Sequence, residues 1–365
     1  MRHEVFSLVE QASLPAGSIT PLSPARLAAA KRAFATRRVD LDLAFGLLTG
    51  DQVRPRAGDL VLVEIDKIGH HKRIERVDGR RAALWPGDEA ILAYGARYAP
   101  DQFEAVVPED LSPCSMAAAG GIAGMVVSRS DKVRPATRVI PTGILADRTG
   151  KPLSTLDFGL PASDMPLNTR PHCVAVLGSS MNAGKTTTLA AMAHGASRQG
   201  KKVAALKVSG TGSGGDIWAY LDAGASFAWD FTDAGYPTTR GLPVETLEEI
   251  TALLMGRAAA EGADLILLEV ADGILFPETA SLVQRPFFKH SIDAVVFAAA
   301  DALGAVAGAE WLSARGLAPS IVAGAVTASP LAAAEAAAAQ PAPVIGLEQL
   351  RRGEILAADL RAEAA

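Results

Sequence analysis

The chain has 365 residues, 49% of them hydrophobic and 21% charged, with a formal net charge of −5. That length predicts two domains, and the apolar share is that of a globular protein with a sizeable core rather than a disordered chain. A slightly acidic chain of this kind is not expected to bind nucleic acid or a membrane surface, and two distant cysteines, Cys114 and Cys173, exclude a disulfide framework or a Cys-x-x-Cys zinc site.

The N-terminal stretch MRHEVFSLVEQASLPAG has no apolar centre of the signal-peptide kind. The run closest to a membrane span, VVFAAADALGAVAGAEW at 295–311, is broken by Asp301 and Glu310, so a cytoplasmic protein is expected. SPARLAAAKRAFATRR predicts a helix over 23–38, with Ser23 as N-cap and Pro24 at the first helical position. From Gly58 the texture changes. LVLVEIDKIG reads as a strand, and HKRIERVDGRRAALWPGDEAILAY as further strands with Asp78-Gly79 at a hairpin turn. These short strands predict a small barrel or sandwich. SPCSMAAAGGIAGMVVS, 112–128, reads as a tightly packed helix or a glycine loop. His70 and His71 are adjacent on a strand and point to opposite faces, a poor pair for one metal. Cys114 reads as a buried small residue rather than a reactive thiol.

Four prolines between 150 and 172 predict an extended connector. Beyond it, CVAVLG, KVAALKV, ADLILLEV, SIDAVVFAAA and SIVAGAV are short apolar strands alternating with helical segments. That pattern predicts a parallel sheet covered on both faces. The expected fold is thus α/β: a β-rich, barrel-like N-terminal domain over 1–150, a connector over 151–172, a parallel-sheet P-loop NTPase-like domain over 173–350 and a tail over 351–365.

The chemistry concentrates at 178–187, Gly178-Ser179-Ser180-Met181-Asn182-Ala183-Gly184-Lys185-Thr186-Thr187. A strand precedes this segment and a helix follows it. A phosphate-binding loop needs that setting, because backbone N–H groups and the helix dipole then face an anion. The strict pattern has four residues between Gly and Gly-Lys-Ser/Thr; here there are five. Lys185 is expected to neutralise phosphates, and Thr186 to offer its hydroxyl to a magnesium ion. Glu269 ends an apolar strand, where a metal-side carboxylate is expected, and Asp216 closes a glycine-rich loop as a second metal-side candidate.

The Gly-x5-Gly-Lys-Thr arrangement resembles dethiobiotin synthetase and the P-loop domain of the D-glutamate N-acetyltransferase family, over about 173–350. The resemblance implies a substrate-facing lysine at the end of the second strand, followed by small hydroxyl residues. Lys207, Ser209 and Thr211 match it. The family's Glu-Gly-x-Gly becomes Glu-Val-Ala-Asp-Gly at 269–273, and GAVTASPL, 324–331, falls where such proteins contact the base. An early second lysine of the ParA type is absent, because that position is Ser180.

Substrate contacts are expected from Thr211 and Gly212 and from the polar segment WDFTDAGYPTTRG, 229–241, through Asp233 and Arg240. YGARYAPDQFEAVVPEDL, 94–111, either lines a ligand site or packs against the second domain. Three readings stand. The first is an ATP- and Mg2+-dependent kinase or ligase acting on a small metabolite, with Lys185, Lys207 and Glu269 as catalytic groups. The second is an N-acyltransferase that cradles the phosphates of acetyl-CoA, with Glu269 as base. The third is a nucleotide-dependent assembly protein with Arg134, Arg138 or Arg240 as an arginine finger. A homo-oligomer is expected in each.

Overall fold

The computed structural model describes residues 17–161 and 171–353. The first half is built from β1 (Ser18–Pro21), β2 (Lys31–Arg32), β3 (Gly46–Thr49), β4 (Leu60–Lys67), β5 (Arg73–Glu75), β6 (Arg81–Ala83), β7 (Glu89–Tyr94), β8 (Arg97–Tyr98), β9 (Phe103–Val106), β10 (Cys114–Ala118), β11 (Ile122–Arg129) and β12 (Thr137–Ala146). Pairing runs β12 to β4 to β7 to β11 to β10 and back to β12, so these five strands form a closed ring of ladders. β5 and β6 form a separate hairpin.

β4 shows why the sequence makes this sheet. Its side chains alternate between faces, so Val61, Val63 and Ile65 join one buried cluster and Leu60 and Leu62 another. Both faces are covered over residues 60–63, which accounts for the unbroken apolar run there, and Glu64 beyond it is exposed.

Two expectations fail here. The helix expected over 23–38 is α1 (Pro24–Ala29) only, with Ser23 capping the Arg26 N–H. Lys31 and Arg32 instead pair in parallel with β7, and Phe34–Thr36 forms a 3-10 turn. Tertiary pairing has overridden a helix-favouring composition. The segment 112–128 is neither helix nor loop but the antiparallel hairpin β10–β11, turning at Gly120-Gly121, where Gly121 has φ of +100°. Its small residues let strands approach closely, which the composition alone reads equally well as helix packing.

The second half alternates strands and helices: β13 (His172–Gly178), α2 (Lys185–Arg198), β14 (Val203–Lys207), α3 (Gly215–Asp222), β15 (Phe227–Asp230), α4 (Val244–Ala260), β16 (Leu265–Glu269), α5 (Pro277–Gln284), α6 (Pro286–Ser291), β17 (Ala294–Ala298), α7 (Ala302–Ser313), β18 (Ile321–Ala323), α8 (Pro330–Ala339) and α9 (Leu347–Arg352). The six strands form one parallel sheet in the order β15-β14-β16-β13-β17-β18. Cys173, Ala175 and Leu177 of β13 face a core made with α4, α5 and α7. Val174 and Val176 face the opposite core, made with α2, α3 and α9.

The two halves are interlocked. Phe34 of the first half sits in that second core, beside Val174 and Tyr220. Arg37 pairs with Asp233 at 2.7 Å, and Gly212 lies so close to Gly120 that a Cβ on Gly120 would stand 2.0 Å from its carbonyl oxygen. Part of the expected connector, 162–170, and most of the tail lie outside the described residues. Among the described residues no helix is long and apolar enough to cross a membrane.

Candidate functional site

β13 lies in the middle of the sheet and delivers its C-terminal end, Gly178, to a loop that turns directly into α2. Asn182 and Gly184 adopt φ of +66° and +96°. Glycine is favoured at 184 on a second count. A Cβ there would come within 3.0 Å of the Gly324 Cα and the Ala325 nitrogen. Neighbouring strand ends fix the loop: the Ser179 N–H donates to the Ala298 carbonyl at 3.0 Å, and the Ala325 N–H to the Ala183 carbonyl at 2.9 Å. The segment at 324–327 thus supports the loop from behind. α2 begins at Gly184 with no side-chain cap. Its first-turn N–H groups therefore have neither helical acceptors nor a capping oxygen, and with the helix dipole they present an anion cradle.

Lys185 is 6% exposed, and its ammonium donates to the Ser180 carbonyl at 3.0 Å. Burial lowers its pKa, opposed chiefly by Glu269. Thr186 lies on the carboxylate side of the cradle. Its hydroxyl is 3.1 Å from Asp216 Oδ1 and 3.0 Å from Glu269 Oε2. Three residues from three separate elements therefore converge: α2 supplies Thr186, α3 supplies Asp216 and β16 supplies Glu269.

Lys207, at the end of β14, donates to Asp216 and stands 3.1 Å from Glu269 Oε1. Burial opposes the charge on Lys207, but the two carboxylates outweigh it and raise its pKa. Asp216 shows the converse. Burial pushes its pKa up, and Lys207 more than reverses that. Tyr220 was not anticipated from the sequence. It is fully buried, and its hydroxyl donates to Glu269 Oε2 at 2.6 Å. Its spacing of four from Asp216 on one helix face was the available signal.

Lys185, Thr186, Lys207, Asp216 and Glu269 border a cavity of about 400 Å3, also lined by Met181, Asn182, Thr187, Gly210 and Thr211. The first half supplies one wall through Arg97, Tyr98 and Ala99. The 94–111 segment packs against the second half, with Tyr98 stacked on Phe276 at 4.5 Å, and its residues 97–99 also line the cavity. Arg97 is held by the Ala117 carbonyl and by Gln102 at 2.9 Å, with His71 at 3.3 Å, and burial brings its pKa down to about 10.

The other expected substrate contacts are engaged elsewhere. Asp233 is 4% exposed and tied to Arg37, and its carbonyl accepts the Leu160 N–H at 2.7 Å. Arg240 pairs with Glu278 at 2.9 Å. The Gly212 N–H donates to the Pro237 carbonyl at 2.9 Å, away from the cavity. Of that group only Thr211 reaches the cavity wall. Cys114 is buried and its pKa is pushed up to about 12 by burial, which suits a packing residue.

Comparison with protein-family models and with curated proteins finds no match. Among solved structures the chain is similar to the signal recognition particle receptor FtsY of Elizabethkingia anophelis, at 15% identity and a TM-score of 0.30, covering 53% of this chain and 55% of that one. It is also similar to the 54 kDa signal recognition particle protein of Aeropyrum pernix in complex with GDP, at 20% identity and 0.35, covering 52% and 46%. Chloroplast FtsY of Physcomitrella patens matches at 15% and 0.34, covering 55% and 62%. The chain thus spans about half the length of these structures, and likenesses of this size leave function to the site itself.

Proposed function

We propose that the chain is a P-loop enzyme that binds ATP with magnesium at 178–187 and transfers its terminal phosphoryl group to a small metabolite, as a kinase or ligase. The observation that carries this is the Thr186 hydroxyl within hydrogen-bonding distance of both Asp216 and Glu269, directly beside the anion cradle. A cradle for coenzyme A needs N–H groups and cations but has no use for two carboxylates there. Glu269 is also poorly suited to act as a base. It is 1% exposed and already engaged by Thr186, Tyr220 and Lys207.

The donor set fits magnesium, which takes hard oxygen ligands and keeps water. Among the described residues no group of three or more His, Cys, Asp and Glu side chains could hold a metal alone. The ion would use Thr186, Asp216 and Glu269 together with phosphate oxygens and water. When bound, it would neutralise charge on the phosphates. The chain's own residues would do the rest. The loop N–H groups would bind the phosphates, Lys185 would swing from the Ser180 carbonyl to them, and Lys207 would hold the two carboxylates in place. The wall at Arg97–Ala99 would exclude water.

The test is thermal stability against ATP, GTP and coenzyme A, each with and without magnesium, for wild type and Lys185→Ala. A ligand at a hundred times its dissociation constant adds roughly 2.7 kcal/mol. We expect a magnesium-dependent shift with ATP that is lost in Lys185→Ala. A magnesium-independent shift with coenzyme A alone would instead establish the acyltransferase reading.

A further inference from the structure

A second cavity, of about 330 Å3, opens beside the first, and Tyr98, Met181 and Asp272 line both. Its other walls include Asp101, Leu275 and Phe276, and no lysine or arginine is among the described residues that line it. The character of the two spaces therefore differs. The first has the carboxylates Asp216, Glu269 and Asp272 together with the cations Lys185, Lys207 and Arg97; the second has the carboxylates Asp101 and Asp272, no cation among its described lining residues, and an apolar, aromatic wall.

Asp272 stands at the junction. It follows Glu269 by three residues and has φ of +62°, a left-handed conformation seldom seen outside glycine. Asp101 also lines the second cavity and is partly engaged, accepting from Asn182 Nδ2 at 2.9 Å and pairing with Lys132 at 3.4 Å. Arg240 lies 5.1 Å from the Tyr98 ring centroid and 5.5 Å from that of Phe276, and its charge is answered by Glu278 and, at 3.6 Å, Glu104. Lys185, Lys207 and Arg97 act on Asp272 as opposite charges, and Glu269 and Glu278 as like charges. Burial raises its pKa, with the two lysines opposing.

We propose that this second cavity binds an amine, a small molecule whose ammonium group meets Asp272 and whose aromatic or apolar body packs on Tyr98, Phe276 and Leu275. Charge complementarity selects the ammonium, the apolar side chains take its body, and the volume suits a small ligand. In taking this amine as the second substrate, the inference rests on the phosphoryl-transfer reading above. The shared lining then places the amine next to the transferring phosphate.

The test uses the full chain and three probes of one shape: benzylamine, benzyl alcohol and benzoate, followed by saturation-transfer NMR. We expect benzylamine to bind about tenfold more tightly than benzyl alcohol, the discrimination of one charge-assisted hydrogen bond, and benzoate to show no binding. Asp272→Asn keeps a side chain that tolerates the left-handed backbone and should bring benzylamine to the level of benzyl alcohol. Leu275→Lys, at a position 73% exposed, should weaken benzylamine by repulsion without disturbing the core. Benzoate binding as well as benzylamine, no saturation of any probe, or an unchanged benzylamine affinity in Asp272→Asn would each overturn the proposal. A magnesium-dependent ATP shift without benzylamine binding would remove the amine site alone. Benzylamine binding at Asp272 in a chain with no ATP shift would remove the phosphoryl-transfer reading alone.

Discussion

Glu75 of the first half holds the loop that carries Asp216 of the second. Its Oε2 accepts the Gly214 N–H at 2.9 Å and the Ser213 hydroxyl at 2.8 Å, while Oε1 pairs with Arg81 at 3.0 Å. Glu75 is 4% exposed, so these bonds are made away from bulk water. α3 begins one residue beyond Gly214, and Asp216 sits in its first turn. Glu75→Ala should lower stability by about 1.5–3 kcal/mol, the loss of hydrogen bonds to a charged group. On the proposed function it should also weaken magnesium-dependent nucleotide binding. Denaturant melts and ATP titration, with and without magnesium, check both. A full-strength magnesium response would show that Asp216 does not depend on this anchor.

Gly120→Ala tests the same interlock sterically. The new Cβ would stand 2.0 Å from the Gly212 carbonyl oxygen and 2.8 Å from the Ser213 Cα. Both obstacles are backbone, so one of the two chains must move. The expected cost is about 1–3 kcal/mol. Faster hydrogen exchange should appear at 210–216 rather than in the distant strand β18. Exchange confined to the β10–β11 hairpin would mean that the hairpin, not the loop, gives way.

Lys207→Met should be more damaging than an ordinary surface substitution. It leaves Asp216 and Glu269, both near the Thr186 hydroxyl, without the cation that lies between them. Breaking a buried charge pair costs about 3–5 kcal/mol. Magnesium with ATP should restore part of that loss, because a divalent cation would answer the same two carboxylates. Thermal melts of the variant across a magnesium series check this, and a melt insensitive to the metal would contradict the assigned metal side.

Asp59 gives a pH dependence outside the candidate site. It is 5% exposed, accepts the Arg56 N–H at 2.8 Å, and burial pushes its pKa up to about 6. A carboxyl with a raised folded-state pKa holds its proton more tightly folded than unfolded. Its contribution is therefore full below the unfolded value near 4 and is lost as pH rises through about 6, a change of roughly 3 kcal/mol at most. Asp59→Asn should lack this slope. The difference in unfolding free energy between wild type and variant, measured at pH 4.5 and pH 7, should shift toward the variant at the higher pH. A constant difference would show that Asp59 titrates normally.

Local signals in the second half were legible because they coincide with burial. Strands β13, β14, β16 and β17 are five to seven residues long and apolar except at an end residue of the first three, His172, Lys207 and Glu269, and each helix between them carries its own apolar face. Gly178, Lys185 and Thr186 were readable as a candidate phosphate loop because such a loop is contiguous in sequence. The 229–241 stretch was less so. Its polar residues suggest a substrate loop, yet Asp233 and Arg240 form ion pairs with Arg37 and Glu278, and those partners are 196 and 38 positions away in the chain. In the first half, Lys31-Arg32 carries a helix-favouring composition, and β7 alone decides that it is a strand.

The sequence by itself determined the alternation of strands and helices after 172, the anion cradle at 178–187 and the residue types able to serve it. Each depends on neighbours within a few positions, where propensity and periodicity act. Only the tertiary structure decided that Thr186, Asp216, Glu269, Lys207 and Tyr220 form one network, that Glu75 anchors it, and that Tyr98 and Asp272 join two cavities. These are contacts between elements far apart in the chain, set by strand order and by the packing of the first half on the second, and no local pattern of residues encodes that distance.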